Sequence, residues 1–150
     1  MFDTFSCHIS LAQKSAVIID VEIFFELPPK DNPKIASIRV KALIDTGANG
    51  TCISRRLSSA CHLEPFTAMK IFSAQGESVV PVYKMGIKLP SRTEFQNILV
   101  TEVAGSPNFD VIIGMDILSQ GDIALTGDSN GLVFSMRFPS KKEPIDFSKN

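Results

Sequence analysis

Residues Ala42–Ser54 read A-L-I-D-T-G-A-N-G-T-C-I-S, and the rest of the chain is organised around this stretch. The apolar residues Ala42–Ile44 lead directly into a single acid, Asp45, and a turn of small residues follows before a second apolar pair, Cys52 and Ile53. A carboxylate that a hydrophobic strand delivers into a glycine-rich turn is held in place and partly desolvated. The stretch therefore predicts a carboxylate that takes part in chemistry.

The triplet D-T-G has a physical rationale at each position. Gly47 lets the backbone fold tightly behind the carboxylate of Asp45, where a side chain would clash. The hydroxyl of Thr46 can both donate and accept a hydrogen bond. The alternative is an ordinary hairpin, because Asn49-Gly50 between apolar runs is a strong turn signal. On that alternative the chain is a ligand-binding β-domain whose D-T-G is only a turn.

A second stretch, Phe109–Leu118, reads F-D-V-I-I-G-M-D-I-L. Together with the D-T-G-A quoted above, it resembles the signature of the retropepsins, the retroviral-type aspartic proteases. In that family an apolar-apolar-Gly segment, here Ile112-Ile113-Gly114, supports the catalytic loop from behind and opens a short helix. The resemblance covers about residues 35–138. It implies an all-β closed barrel, one lobe per chain, with one short helix after the Ile-Ile-Gly segment.

The sequence departs from the viral members of that family at two places. After D-T-G-A those members usually carry acids, whereas this chain has Asn49 and Gly50. After the apolar-Gly segment they usually carry Arg, whereas this chain has Met115 and Asp116. The acid and the Arg pair with each other in the viral relatives, so the two departures fit together. The chain therefore resembles the cellular and bacterial branch of the family more closely.

The resemblance implies a catalytic site that one chain cannot complete. Hydrolysis of a peptide bond by carboxylates needs two of them around one water, one ionised and one protonated. This chain has one D-T-G and no D-S-G, and it is too short for two lobes. The second carboxylate must come from a second copy across a two-fold axis. Asp45 is then the shared acid and base, Thr46 braces the two loops, and Gly47 orients the carboxylate.

The resemblance also implies where the substrate binds. The expected substrate-binding residues are Ala48, Asn49, Gln75, Gly76 and Glu77. The last three lie in a predicted hairpin at about residues 69–85, which corresponds to the flap that closes over the substrate in that family. Gly76-Glu77 fits a two-residue turn with Gly first, and Pro81 favours an edge strand. An ordinary surface hairpin is the alternative.

Periodic apolar residues divide the remaining chain into strands and turns. Alternation predicts one strand over residues 17–27 and a second over residues 36–44, with a proline-rich turn at residues 28–33 between them. Leu132–Phe138 also alternates, and we expect this terminal strand, not the residues after it, to form the subunit interface. The predicted boundaries are a loose N-terminal arm over 1–14, the protease-like domain over 15–139 and a flexible tail over 140–150.

The composition of the chain restricts its expected binding partners and cellular compartment. The chain has 150 residues and a net charge of -1, which suits a single domain and gives no basis for binding nucleic acid through charge. No apolar run approaches a membrane span. The three cysteines, Cys7, Cys52 and Cys61, form no C-x-x-C, which favours a reducing compartment and predicts a cytoplasmic protein. Cys7-His8 and Cys61-His62 lack zinc-ligand spacing, so no metal and no cofactor is expected.

Two functional hypotheses follow from different classes. The first is a homodimeric aspartic endopeptidase that acts on protein or peptide substrates, with no nucleic-acid or membrane partner. The alternative is a catalytically silent dimer of the same fold that binds peptides or serves assembly. An intact D-T-G favours the first hypothesis, because a silent relative has no chemical need for the acid.

Overall fold

The computed structural model describes residues 1–10, 16–26 and 36–149. Within these residues the chain forms ten strands and two short α-helices, and neither helix is long or apolar enough to cross a membrane. The elements are β1 (Asp3–Ser10), β2 (Ile18–Phe25), β3 (Ser37–Ile44), β4 (Cys52–Ser54), α1 (Arg55–Ala60), β5 (Thr67–Ser73), β6 (Gly76–Lys88), β7 (Glu94–Val103), β8 (Val111–Ile113), α2 (Met115–Leu118), β9 (Asp122–Asp128) and β10 (Gly131–Phe138).

Six strands close into a barrel. β2, β3, β8, β4, β7 and β6 are hydrogen-bonded in this order, and β2 pairs again with β6 to complete the ring. β5 lies outside the ring and pairs with β6 as a hairpin. The predicted all-β closed barrel is confirmed, and so is the short helix, α2, after the Ile-Ile-Gly segment.

Alternating side chains fill the barrel. On β2 the apolar residues Ile19, Val21 and Ile23 are buried, while Asp20 between them is exposed. This period of two is the geometry of a strand with one wet face, as the sequence predicts for this segment. The hairpin turn expected at residues 28–33 lies outside the described residues. The barrel therefore rests on the apolar side chains that the sequence pattern predicts.

A second, three-stranded sheet packs against the barrel in the order β1-β10-β9. β1 pairs with β10 along its whole length, so the prediction of a loose arm over residues 1–14 is wrong for residues 3–10. Phe5, Cys7 and Ile9 alternate on one face of β1, and Phe5 lies 6.1 Å from the ring of Phe134, centroid to centroid. Burial of this face orders the strand. Residues 11–14 of the expected arm lie outside the described residues.

The segment after β10 is anchored where it begins. Ser140 Oγ donates to Asp122 Oδ1 at 2.5 Å, and Lys141 N donates to Asp122 Oδ2 at 2.9 Å. Further on, Phe147–Lys149 form a 3-10 turn, and most side chains of residues 141–149 are exposed. The tail that the sequence predicts as flexible is therefore fixed to β9 at its first residues.

Candidate active site

Asp45 lies directly after β3, at one end of the barrel. β3 and β8 run parallel, with Ile44 opposite Ile113, so their carboxyl ends meet at this end. Asp45 N donates to Ile113 O at 3.1 Å, which fixes the start of the loop to β8. The strand ends where its apolar run Ala42–Ile44 meets Asp45 and the small residues of the turn. Asp45 is half-buried, the environment that the sequence predicted for it.

The residues of the D-T-G-A turn hold the carboxylate. Gly47 N donates to Asp45 Oδ1 at 2.8 Å, and Ala48 N donates to the backbone oxygen of Asp45 at 3.3 Å. A Cβ atom on Gly47 would lie 3.2 Å from Asp45 Oδ1, tighter than most real contacts. A glycine is therefore favoured here by the close approach of the carboxylate. Thr46 is exposed on the surface of the single chain.

The start of α2 supports this loop from behind. Met115 N donates to Ala48 O at 2.8 Å, and Asp116 N donates to Asn49 O at 3.2 Å. A Cβ atom on Gly114 would lie 2.6 Å from Gly50 O and 2.9 Å from Ala48 O, so only glycine allows the two segments this close. The structural support predicted for Ile112, Ile113 and Gly114 thus has a direct geometric basis.

Asp116 and Thr51 clamp the end of the loop. Thr51 N donates to Asp116 Oδ2 at 3.0 Å, and Thr51 Oγ1 donates to Asp116 Oδ1 at 2.8 Å. The buried N–H of Gly114 donates in turn to Thr51 Oγ1 at 3.3 Å. Asp116 also accepts from Ile117 N at 3.0 Å, but the residue at the N-cap position of α2 is Gly114. Asp116 therefore fixes the end of the loop from the first turn of α2.

The hairpin β5–β6 differs in register from the prediction. Its two-residue turn is Ala74–Gln75, closed by the pair Ser73 and Gly76, so the expected turn at Gly76-Glu77 is wrong. The observed register places Met69 opposite Val80, whereas a turn at Gly76-Glu77 would place Met69 opposite Lys84. Pairing two apolar side chains is the more favourable choice.

Gln75, Gly76 and Glu77 nevertheless lie together at the tip of this hairpin. Gly76 has φ of +116°, a conformation that L side chains rarely adopt. Glu77 Oε1 lies 2.5 Å from Lys70 Nζ across the hairpin. Pro81 lies just before the part of β6 that pairs with β7, where only β5 flanks it.

Residues 32–120 match the family model described as "gag-polyprotein putative aspartyl protease". The match spans more than half of the chain and includes both the D-T-G-A loop and the Ile-Ile-Gly segment. The chain belongs to the retropepsin-like aspartic protease family. No curated protein sequence matches it.

Solved structures agree with the protease fold. A retropepsin-like aspartic protease from Rickettsia conorii superposes with a TM-score of 0.57 at 15% sequence identity, over 91% of this chain and 95% of that one. The protease of simian foamy virus gives 0.46 at 20% identity, over 69% and 92%. The retroviral protease-like domain of Ddi1 from Leishmania major gives 0.42 at 16% identity, over 84% and 98%. The first of these three shows that the fold is retropepsin-like.

The loop of Asp45 opens onto a groove of about 350 Å³. The groove is lined by Ala16, Val17, Leu43, Ile44, Asp45, Leu125 and Leu132. Leu43 and Ile44 belong to β3, Leu125 to β9 and Leu132 to β10, so the three-stranded sheet borders the loop of Asp45. Among the residues that the structure describes, no three His, Cys, Asp or Glu side chains stand close enough together to hold a metal ion.

A buried carboxylate on β7 was missed in the sequence. Glu102 on β7 accepts hydrogen bonds from Arg55 Nε at 2.9 Å, Ser58 Oγ at 2.7 Å and Tyr83 OH at 3.0 Å. Burial pushes the pKa of Glu102 up, but these hydrogen bonds outweigh it and hold the pKa below its usual value. The carboxylate of Glu102 thus links β7 to α1 and to β6 through hydrogen bonds. The only sign of it in the sequence was an acidic residue among the apolar residues at the end of a predicted strand.

Cys52 follows the clamp and lies close to two acids. Its Sγ is 3.2 Å from Thr101 Oγ1. Burial raises the pKa of this thiol, the hydrogen bond with Thr101 lowers it, and the charges of Asp116 and Asp45 raise it further, so the net shift is upward. The raised pKa favours the neutral thiol form of Cys52, which is the less reactive form.

Proposed function

We propose that the chain is an aspartic endopeptidase that hydrolyses protein or peptide substrates as a homodimer. The observation that carries the proposal is the single D-T-G carboxylate, Asp45, held by Gly47 N at 2.8 Å on a loop that opens onto a groove. The reaction needs two carboxylates, and the sequence has one D-T-G. Asp45 of a second copy supplies the other.

The chemistry follows from a pair that shares one proton. Two carboxylates about 3 Å apart cannot both ionise, so one Asp45 is a base and the other an acid. The base takes a proton from the water, whose oxygen bonds to the substrate carbonyl carbon. The acid gives its proton to the carbonyl oxygen, and a diol forms. The first carboxyl then protonates the leaving nitrogen, the C–N bond breaks, and a diol proton restores the pair.

The neighbouring residues take supporting roles. Thr46 is exposed in the single chain, which suits a residue that braces the two loops across the axis. The backbone oxygens of Ala48 and Asn49 are bonded to α2, so this edge of the site is rigid toward a substrate backbone. Gln75, Gly76 and Glu77 form the tip of a flap that closes over the substrate. The three free cysteines suit a reducing compartment, and the proposed location is the cytoplasm.

Cleavage of an unstructured protein by the purified chain tests the proposal. Asp45→Asn keeps the shape of the side chain but removes the shared proton, so it should fold and not cleave. Asp20→Asn is the matched control, because Asp20 is exposed and pairs with Lys41 at 3.0 Å. A peptide that mimics the tetrahedral intermediate should inhibit the wild type. Equal cleavage by Asp45→Asn would refute the protease, and no cleavage by any form would favour the silent dimer.

A further inference from the structure

A second groove, of about 590 Å³, lies beside the first half of β3. It is lined by Asp20 on β2, residues 38–41 on β3, Arg56 and Leu57 on α1, and residues 107–110 before β8. Among the described residues, none lines both this groove and the groove of Asp45. A strand rises about 3.3 Å per residue, so Arg39 lies about 20 Å from Asp45 along β3. The two grooves are therefore separate.

The strand β3 has a free edge where it borders this groove. β3 pairs with β2 from Ser37 to Leu43, but with β8 only from Ala42 to Ile44. The bond from Asp110 N to Lys41 O, at 3.0 Å, is the last contact on the β8 side. Within the part of the chain that the structure describes, residues 37–40 pair with no strand on that side. The closed ring thus leaves half of one strand uncovered.

The backbone groups of this free edge point into the groove. Ile44 N donates to Val17 O at 2.9 Å, so the even-numbered residues of β3 turn their N–H and C=O groups toward β2. The direction alternates along an antiparallel strand, so Ser37 and Arg39 turn theirs to the opposite side. Lys41 O, which accepts from β8, confirms the alternation. A row of unpaired backbone groups is a template on which another extended chain can add as a strand.

Side chains give the groove one apolar and one basic face. Ile38 and Val40 are half-buried, pack against the core and still line the groove, together with the half-buried Phe109. Arg39 and Lys41 alternate with them and lie exposed on the outer face of the sheet. A strand added to this edge would continue both faces. Its inner side chains would meet Ile38 and Val40, and its outer side chains would meet Arg39 and Lys41.

Two of the three cations of the groove already have acidic partners. Lys41 Nζ lies 3.0 Å from Asp20 Oδ1, and the guanidinium of Arg56 lies 2.9 Å from Asp110 Oδ1. All four residues line the groove. These pairs balance each other in charge, so the third cation, Arg39, determines the net charge of the groove.

Arg39 is exposed and forms no ion pair within the described residues. Glu22 lies opposite Arg39 on β2, but its carboxylate accepts a hydrogen bond from Ser37 Oγ at 2.5 Å. Opposite charges on neighbouring strands stabilise their pairing. An added strand with an acidic side chain beside Arg39 therefore complements the groove in charge.

We propose that this edge of β3 binds, by strand addition, an extended segment of a partner protein in which acidic and apolar residues alternate. The acidic residues of the segment pair with Arg39 on the outer face, and the apolar residues cover Ile38 and Val40. Main-chain hydrogen bonds to Ser37 and Arg39 hold the segment in register. This inference goes beyond the proposed function and does not depend on it, because the edge lies away from the groove of Asp45.

The probe for the test is a fluorescein-labelled peptide of alternating Glu and Val, about eight residues long, which is within the usual length of a strand. Fluorescence anisotropy measures its dissociation constant from the full chain carrying Asp45→Asn, so that the probe is not cut. Arg39→Glu is the test variant in that background. Arg92→Glu is the matched control, because Arg92 is exposed in the turn between β6 and β7 and lies outside the groove. Thermal melting checks the fold of each protein.

Two further peptides separate charge from backbone pairing. In the first, Lys replaces every Glu, which reverses the charge of the outer face. In the second, the Glu-Val sequence is kept but every second backbone nitrogen is methylated, so that one edge of the peptide has no N–H to donate. These peptides leave the protein unchanged, so their results do not depend on the stability of a variant.

An exposed ion pair contributes up to about fivefold in affinity, and reversal of one charge replaces that attraction with a repulsion. Arg39→Glu should therefore weaken binding of the Glu-Val peptide by about tenfold, whereas Arg92→Glu should leave the dissociation constant unchanged. The Lys-Val peptide should bind about tenfold more weakly than the Glu-Val peptide. The N-methylated peptide should also lose about tenfold or more, since it cannot donate to the free backbone oxygens of β3.

Several results would overturn the proposal. One is a Glu-Val peptide that does not bind, and another is equal binding to Arg39→Glu and to its parent. Equal binding of the N-methylated peptide would exclude strand addition. Displacement of the probe by a peptide that mimics the tetrahedral intermediate would place the probe in the groove of Asp45. If the chain instead self-associates and Arg39→Glu abolishes this, a second copy occupies the edge and the partner segment is refuted. None of these results bears on whether the wild type cleaves peptides.

Discussion

Removal of one buried hydroxyl should release the catalytic loop. Thr51 is 1% exposed, and its hydroxyl both donates to Asp116 and accepts from Gly114 N. Thr51→Val keeps nearly the same volume and shape but removes that hydroxyl. Asp116 then loses one of its donors, and the buried N–H of Gly114 loses its acceptor. Both losses fall at the point where the loop of Asp45 is joined to α2.

The expected cost follows from those two bonds. A hydrogen bond to a charged group contributes about 1.5–3 kcal/mol, and a buried N–H left without a partner costs about 1 kcal/mol more. The free energy of unfolding should therefore fall by about 3 kcal/mol, which lowers the melting temperature by about 6–12 °C at this chain length. Thr51→Ser keeps the hydroxyl and removes one methyl group, so its cost should be about 1 kcal/mol.

Urea unfolding at fixed protein concentration measures both variants, and kcat for peptide cleavage is recorded beside it. Thr51→Val should lower kcat by about tenfold or more, because misplacement of a catalytic group by about 1 Å is costly. Thr51→Ser should keep most of the activity. The comparison of the two variants tests the reasoning. If Thr51→Val lowers the free energy of unfolding by less than Thr51→Ser does, Thr51 stabilises the protein through packing, and its hydrogen bond with Asp116 contributes little.

Three further changes test separate parts of the molecule. Gly114→Ala places a Cβ atom 2.6 Å from Gly50 O, so melting temperature and cleavage rate should both fall, and an unchanged variant would contradict the close approach. Hydrogen bonds from Ser140, from the backbone N–H of Lys141 and from Arg137 together lower the pKa of Asp122 from 3.8 to about 2. The contribution of this carboxylate to stability is therefore present above 3.8 and lost as pH falls through about 2. Asp122→Asn should flatten unfolding stability over that window, and an unaltered pH profile would exclude this role. Gly76→Val, at φ +116°, should lower kcat/KM while the barrel stays folded, with only a small fall in melting temperature from the strained turn. Unchanged kinetics would remove the flap tip from the mechanism.

Local pattern was sufficient for the barrel and the loop of Asp45. The alternation over β2 and β3 and the buried run Val111–Ile113 are each legible within a few residues, because strand periodicity depends only on which face is buried. The D-T-G and Ile-Ile-Gly signatures then place Asp45 and Gly114. The barrel strands and the loop of Asp45 can therefore be predicted from residues that are close together in the sequence.

What the sequence did not reveal depends on distant partners. β1 is ordered by β10, with Asp3 opposite Phe138, and its alternation of Phe5, Cys7 and Ile9 is too short to indicate a strand without that partner. The clamp between Thr51 and Asp116 joins residues 65 positions apart. Nothing near Thr51 in the sequence signals that its hydroxyl is buried against an acid. Long-range pairing of this kind is determined by the closed barrel and not by local propensity.

The register of the hairpin β5–β6 also could not be predicted from the turn residues alone. Gly76-Glu77 is the better turn dipeptide, but the observed turn at Ala74–Gln75 is set by side chains several residues away. It leaves Lys84 to pair with Glu26 at 2.9 Å on the barrel. Pairing along the strands outweighs the preference of two turn residues, because it involves many more contacts.

Subunit mixing tests the central claim, that each active site uses Asp45 from two chains. Wild type is mixed with increasing excess of Asp45→Asn protein under conditions that allow subunits to exchange, and cleavage is measured at constant wild-type concentration. The account predicts that activity falls toward zero as heterodimers form, and that wild type alone loses activity faster than linearly on dilution through its dissociation range. Activity that is unaffected by excess Asp45→Asn protein, under verified exchange, would contradict the claim.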